Sequence, residues 1–277
     1  MAGETHAAEA AHQQVDIIGH LLDHQTLEVP FLNASHLLDG ELHLPQFDPI
    51  YGIDLSITRH VVMMWVASAL LIGILWLAFR RRALVPGRLG NFFETIVVFL
   101  RDEVVMPTMG AEGRAYLPYL LTAFFFILSC NLLGLVPYAA TATGNVNVTA
   151  ALALMTFLLT LAAGVQHNGL FGYCKSLIPH GLPVWLLPIM IPVELVSMFS
   201  RPFALCIRLF ANMIAGHMVI LVFLGIIILL KALWLAPFSV AFAAAIYLLE
   251  IFIAFVQAFI FTLLSTLFIS MAAHPQH

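Results

Sequence analysis

Charge is what this sequence has least of. Asp, Glu, Lys and Arg make up 9% of its 277 residues against 62% hydrophobic ones, and its mean hydropathy is +0.99. No soluble domain of this length can present such a surface to water, so lipid must solvate it. Cysteine is also scarce. Cys130, Cys174 and Cys206 lie in or near apolar stretches without paired spacing, which excludes a disulfide framework or a zinc ribbon and leaves small core residues. Basic residues are missing from the first 58 positions, which hold nine Asp or Glu. The formal net charge of -4 therefore hides an asymmetry of topological meaning. The N-terminus has neither a basic start nor a short apolar run, so it reads as mature protein and not as a cleavable leader. Strict alternation is absent from the apolar runs, which excludes a membrane barrel and leaves packed helices in one domain.

Residues 1–58 read as an extracytoplasmic arm of short helices and turns, dotted with histidines. His20 and His24 stand one helical turn apart, but two ligands without a third favour a solvated pair over a metal site. A first span is expected over 60–79, ending on Arg80, Arg81 and Arg82 with Arg88 beyond Pro86-Gly87. That basic cluster belongs in the cytoplasm and leaves the acidic arm outside. Residues 89–105 mix Phe, Val and Leu with Glu94, Arg101, Asp102 and Glu103, the pattern of an interfacial amphipathic helix. Spans at 116–136 and 148–165 form a hairpin across the polar turn TATGNVN, and the Gly-, Pro- and His-rich 167–183 reads as a cytoplasmic loop.

Two further apolar segments, 188–230 and 238–272, are too long for upright helices. As unbroken helices they would reach roughly 65 and 50 Å, against a hydrocarbon core of about 30 Å. Either they are steeply tilted, or the first is two spans broken near Ser200–Pro202. Local chemistry favours the break, because Pro202 removes a backbone hydrogen bond.

The first long segment holds Arg208 in ALCIRLFANMIAGH, flanked by Leu205, Ile207, Leu209 and Phe210. An arginine at this depth costs from about 2.5 to over 10 kcal/mol unless it faces a cavity or a partner. Helical spacing puts Arg201, Ala204, Arg208, Ala211, Asn212 and Ala215 on one face and Phe203, Leu209, Phe210 and Met213 elsewhere. Small residues let another helix approach closely, so that face is presented to a packed neighbour. Glu194 lies on nearly the same stripe, either to draw cations inward or to pair with Arg201. Glu250 and Gln257 share a face of the last helix. Residue numbers sum to nearly the same value for Arg208 with Gln257 as for His217 with Glu250, the register of antiparallel neighbours. His217 sits half a rotation from the arginine face, and beside Glu250 it would share protons, since imidazole titrates near neutral pH.

The segments RLFANMIAGH and QAFIFTLLSTLFISMA, with NLLGLVP, NVNVT and PVELVSMFSRP, closely resemble subunit a of the F-type ATP synthase membrane sector. The resemblance covers most of the chain after the first span. It implies an all-α integral membrane protein of about five membrane helices plus one interfacial helix, the last two long and steeply tilted as an antiparallel hairpin. It implies that Arg208 is the essential stator arginine facing the carboxylates of a c-subunit ring. Asn212 and Gln257 match its polar neighbours. His217 and Glu250 look like an exchanged arrangement of the acid and imidazole that several bacterial members carry. Asn145 stands where some members have Asp, which argues against a proton-carrying role at that loop position.

The mechanism so implied uses two offset half-channels, one from outside past His217 and Glu250, the other to the cytoplasm near Glu194, with Arg208 between them. The chain is then a non-catalytic subunit of a bacterial inner-membrane ATP synthase. Its partners are the c ring, peripheral-stalk b subunits and other synthase subunits, with no cofactor, metal or nucleic acid. The rival reading is a secondary transporter with an intramembrane Arg/Glu site, whose signature would be an internal repeat. The sequence has none.

Overall fold

A computed structural model describes residues 26–28, 41–43, 58–80, 87–136, 141–176, 187–230 and 236–274. The architecture is helical. Five helical stretches among the described residues are long and apolar enough to cross a membrane. The exception is a two-stranded antiparallel ladder, β1 (Thr26–Glu28) and β2 (Glu41–His43), with Leu27 opposite Leu42. It replaces the short helices expected for the described part of the arm. His20 and His24 lie outside the described residues.

Helix α1 (Arg59–Phe79) carries its only charge at its start and is followed at once by Arg80, whose guanidinium lies 5.7 Å from the Trp76 ring. One narrow stripe is packed, with Ala67 against Cys130 and Ala142, while Trp65, Ile72 and Trp76 stay exposed as a lipid-facing surface does. Helix α2 (Arg88–Phe99) runs into a π turn (Leu100–Val105) and α3 (Met106–Met109). The wider turn shifts the buried side, placing Leu100, Val104, Val105 and Met109 inward while Asp102 and Glu103 remain outside. Gly110 follows at φ 63°, a conformation that a Cβ would oppose.

Helix α4 (Gly113–Gly134) is the most enclosed, burying Leu120, Phe124, Phe125, Ile127, Leu128 and Asn131. A 3-10 turn (Ala142–Gly144) leads to α5 (Val146–Ser176), which starts where Asn145 Oδ1 accepts the Asn147 amide at 2.9 Å. The loop expected from residue 167 is in fact helical as far as Ser176. Among the described residues its glycines interrupt the helix only at Gly169 (φ 70°), after which the helix resumes, and 177–183 lie outside the described residues. Asn168 anchors that bend, donating Nδ2 to the carbonyls of Gly164, Ala272 and Ala273 at 3.2, 3.1 and 3.3 Å.

Helices α6 (Leu187–Leu230) and α7 (Ala236–Ala273) pack against each other and against α5. The break favoured near Pro202 does not occur: α6 is continuous through Pro192 and Pro202. A proline removes one hydrogen bond, and neighbouring helices hold the strand of helix together around it. Leu205, Cys206 and Leu209 sit in the main core with Phe124, Ala258 and Phe261 just beyond the proline. At 44 and 38 residues the two helices are about 66 and 57 Å long, roughly twice the hydrocarbon core, and fit it only when steeply inclined.

Lipid tails are as apolar as Leu, so the hydrophobic effect does not bring these helices together, and packing with interhelical hydrogen bonds must. Tyr119 Oη lies 2.8 Å from Thr156 Oγ1, Thr156 Oγ1 lies 3.5 Å from Ser265 Oγ, and Ser270 donates to Thr108 O at 2.8 Å. Each such bond contributes about 0.6 kcal/mol on average, so the seam fixes the register of α7 more than it adds stability.

Candidate functional site

The register of α6 against α7 is visible in two contacts. Gln257, buried on α7, donates Nε2 to the backbone carbonyl of Arg208 at 3.2 Å. Two and a half turns further along α6, His217 Nδ1 lies 2.8 Å from Glu250 Oε1. Both pairings given by the residue-number sum are present.

The arginine side of α6 is open. Arg208 is exposed together with Ala204, Ala211, Asn212 and Ala215, while Leu205, Leu209 and Met213 on the other side are buried. The neighbour expected against the small residues is not a helix of this chain among the described residues. Arg208 forms no ion pair with any described residue, and Asn212 has no hydrogen bond to one. The arrangement is a guanidinium held out on a smooth alanine surface, its backbone fixed from behind by Gln257.

Glu194 and Arg201 sit one and a half to two turns apart on the same helix, with Arg201 Nη2 4.0 Å from Glu194 Oε1. Arg201 also lies 5.8 Å from the Phe268 ring. Of the two sequence readings of Glu194, pairing with Arg201 has a contact on the structure. Both side chains are half-exposed, so the pair is weak.

The His217 site is enclosed around the acid and partly open at the imidazole, whose side chain is 24% exposed. Glu250 is 2% exposed, and neither carboxylate oxygen meets hydrogen-bond geometry with a described residue, Oε1 standing at ion-pair distance from the imidazole. Gly216 makes room for it, since a Cβ there would stand 2.5 Å from Oε1. The imidazole Nδ1 also lies 3.1 Å from Met213 O, and Nε2 lies 3.0 Å from Gly134 O and 3.1 Å from Thr141 Oγ1. Gly134 in turn admits Thr141, whose side chain occupies the space a Cβ would need. Nearby, Tyr247 donates to Leu135 O at 2.8 Å, and Thr143 donates to Asn131 Oδ1 at 2.6 Å. A buried carboxylate without enough partners is costly, and an imidazole at ion-pair distance offsets that cost.

These residues show what this region can do chemically: it can hold one mobile proton between an acid and an imidazole. A family model described as ATP synthase A chain matches residues 61–270. The chain belongs to the ATP synthase A-chain family. It is 47% identical over 273 residues to ATP synthase subunit a of Chloroherpeton thalassium, covering 96% of this chain and 79% of that one. It is 48% identical over 285 residues to ATP synthase subunit a 2 of Prosthecochloris aestuarii, covering 100% and 87%. Identity to ATP synthase subunit a of Myxococcus xanthus is 52% over 229 residues, covering 81% and 75%. The A-chain match includes Glu194, Arg208, Asn212, His217, Glu250 and Gln257.

Some polar groupings left no trace in the sequence. Glu112 Oε2 lies 3.4 Å from His167 Nε2 and 3.0 Å from His274 Nε2, joining the start of α4, the bend of α5 and the end of α7. Thr141 and Tyr247 were equally hidden. Neither spacing nor periodicity points to them, because each partner comes from a different helix.

Proposed function

We propose that this chain is the proton-translocating membrane subunit of a rotary ATP synthase in a bacterial inner membrane, acting as stator against a c-subunit ring. Arg208 is the charge that faces each ring carboxylate as it passes. The acidic N-terminal arm lies outside and the C-terminus in the cytoplasm, in line with the Arg80–Arg82 cluster after α1. His217 and Glu250 carry protons in from outside, and Glu194 stands by the exit to the cytoplasm. Peripheral-stalk b subunits hold the assembly still. The chain itself performs no bond-making step.

One observation carries the reading: an exposed arginine in the middle of a long apolar helix, on a face of alanines that no described helix of the chain covers. Its cost in lipid is several kcal/mol, so a partner with the complementary charge belongs there. A fixed guanidinium keeps its proton where an ammonium would lose it, and it favours the ionised carboxylate only while the two are close. A proton then has no direct route past it and must travel with the ring. Asn212 and Gln257 hold the arginine's surroundings polar, and Gln257 fixes its position along α6.

The test is proximity. With Ala211→Cys in the assembled complex, mild oxidation should form a disulfide to a cysteine placed one turn from the ring carboxylate. Leu154→Cys, on an exposed part of α5, should not. Cross-linking from Leu154 and not from Ala211 would refute the placement of the ring.

A further inference from the structure

The contacts of His217 Nε2 single out a residue that the arginine and the acid–imidazole pair do not account for. Two groups meet that nitrogen, Gly134 O at 3.0 Å and Thr141 Oγ1 at 3.1 Å. A carbonyl oxygen can only accept, so Gly134 satisfies Nε2 when it carries a proton and opposes it, lone pair to lone pair, when it does not. A hydroxyl can do both. Thr141 accepts from Nε2–H, or rotates and donates to the bare nitrogen, and in the second state its hydrogen bond replaces the one lost to Gly134.

The position is built for that approach. Gly134 and Thr141 touch so closely that any side chain at 134 would displace the threonine. The hydroxyl is also within 3.4 Å of Gly134 O, which gives its proton a resting acceptor while Nε2 is protonated. Thr141 is half-buried and lies in the turn between α4 and α5, whereas Glu250 is enclosed on the far side of the ring. The three groups stand in order from the partly open turn to the core.

We propose that Thr141 is a proton-relay residue, the hydroxyl through which His217 exchanges protons on its Nε2 side. The proposal rests on the assignment of His217 and Glu250 to the outer proton path. A hydronium ion gives a proton to Thr141 Oγ1 and becomes water, and as that O–H bond forms the original hydroxyl proton passes to Nε2. The imidazolium then releases its Nδ1 proton to the Glu250 carboxylate, breaking N–H and forming O–H. One proton has entered at the threonine and one has arrived at the carboxyl, with the hydroxyl restored and the imidazole neutral in its other tautomer.

The test compares Thr141→Val, which keeps the shape and removes the hydroxyl, with Thr141→Ser, which keeps the hydroxyl and removes the methyl. Both are made in the complete complex, and ATP-driven proton pumping is read in inverted membrane vesicles alongside assembly. The expected result is a fall of about tenfold with Val, the scale of one lost hydrogen bond in the path, and near-normal flux with Ser. Normal pumping by Val overturns the relay, as does a Ser variant as slow as Val, because fit and not the hydroxyl would then govern. Failure of the Val variant alone to assemble overturns it too, since that makes the hydroxyl structural. Val with normal flux while His217→Ala is slow would remove the relay and leave the His217 assignment standing. Normal flux in both would remove the assignment as well.

Discussion

Gln257 reaches across from α7 and binds the peptide carbonyl of Arg208, not its guanidinium. The side chain of the arginine is thereby left free toward the open face while its place along α6 is fixed. Gln257→Leu removes that bond and leaves a buried carbonyl position less well held. Proton-driven ATP synthesis should drop about fivefold, in keeping with one hydrogen bond of about 1 kcal/mol. The loss should be smaller than that from removing the arginine, and synthesis rates in vesicles from both variants decide it.

Gly216 is matched to Glu250. Gly216→Ala places a methyl group against Oε1 and should cost about 1–3 kcal/mol of strain or push the carboxylate away from His217. Pumping should fall, and Glu250→Asp, which shortens the acid by one methylene, should restore part of it in the double variant while lowering flux alone. An Ala variant that pumps normally would mean that Glu250 does not need its observed place.

His217 and Glu250 should behave as a pair. Each single change to Ala leaves the partner in a low-dielectric site without its counterpart, so passive and ATP-driven flux should both fall strongly. The exchange His217→Glu with Glu250→His keeps one acid and one imidazole at ion-pair distance, and it should carry more flux than either of those two substitutions made singly. A double-mutant cycle measures this, with a coupling of about 0.5–3 kcal/mol expected for residues in contact. Additive effects would separate them.

Much of this molecule was legible because hydrocarbon is an unforgiving solvent. Runs of about 20 mostly apolar residues have few options in lipid, so the spans were visible, and Arg208 stood out by its cost. The antiparallel register was legible too, since His217, Glu250, Arg208 and Gln257 are rare polar residues on apolar helices. What stayed hidden depends on several helices at once. Pro202 reads locally as a break, and only the packing of Leu205, Cys206 and Leu209 into the core shows why the helix continues. The glycines after 166 read as a loop, yet of the two described, Gly169 and Gly172, only Gly169 leaves the helical conformation. Thr141 carries no signal of its own, because its meaning lies in the distance to a histidine 76 positions away.

The central claim is that Arg208 acts as a charge and not as a piece of the fold. Its side chain is exposed and unpaired with any described residue, so Arg208→Ala should leave the packing of α6 and the assembly of the complex intact. The decisive measurement is ATP-driven proton pumping and proton-driven ATP synthesis in vesicles carrying this one substitution, with the amount of assembled complex quantified on the same membranes. Loss of both activities with normal assembly is the predicted result; coupled synthesis at the normal rate would contradict the account.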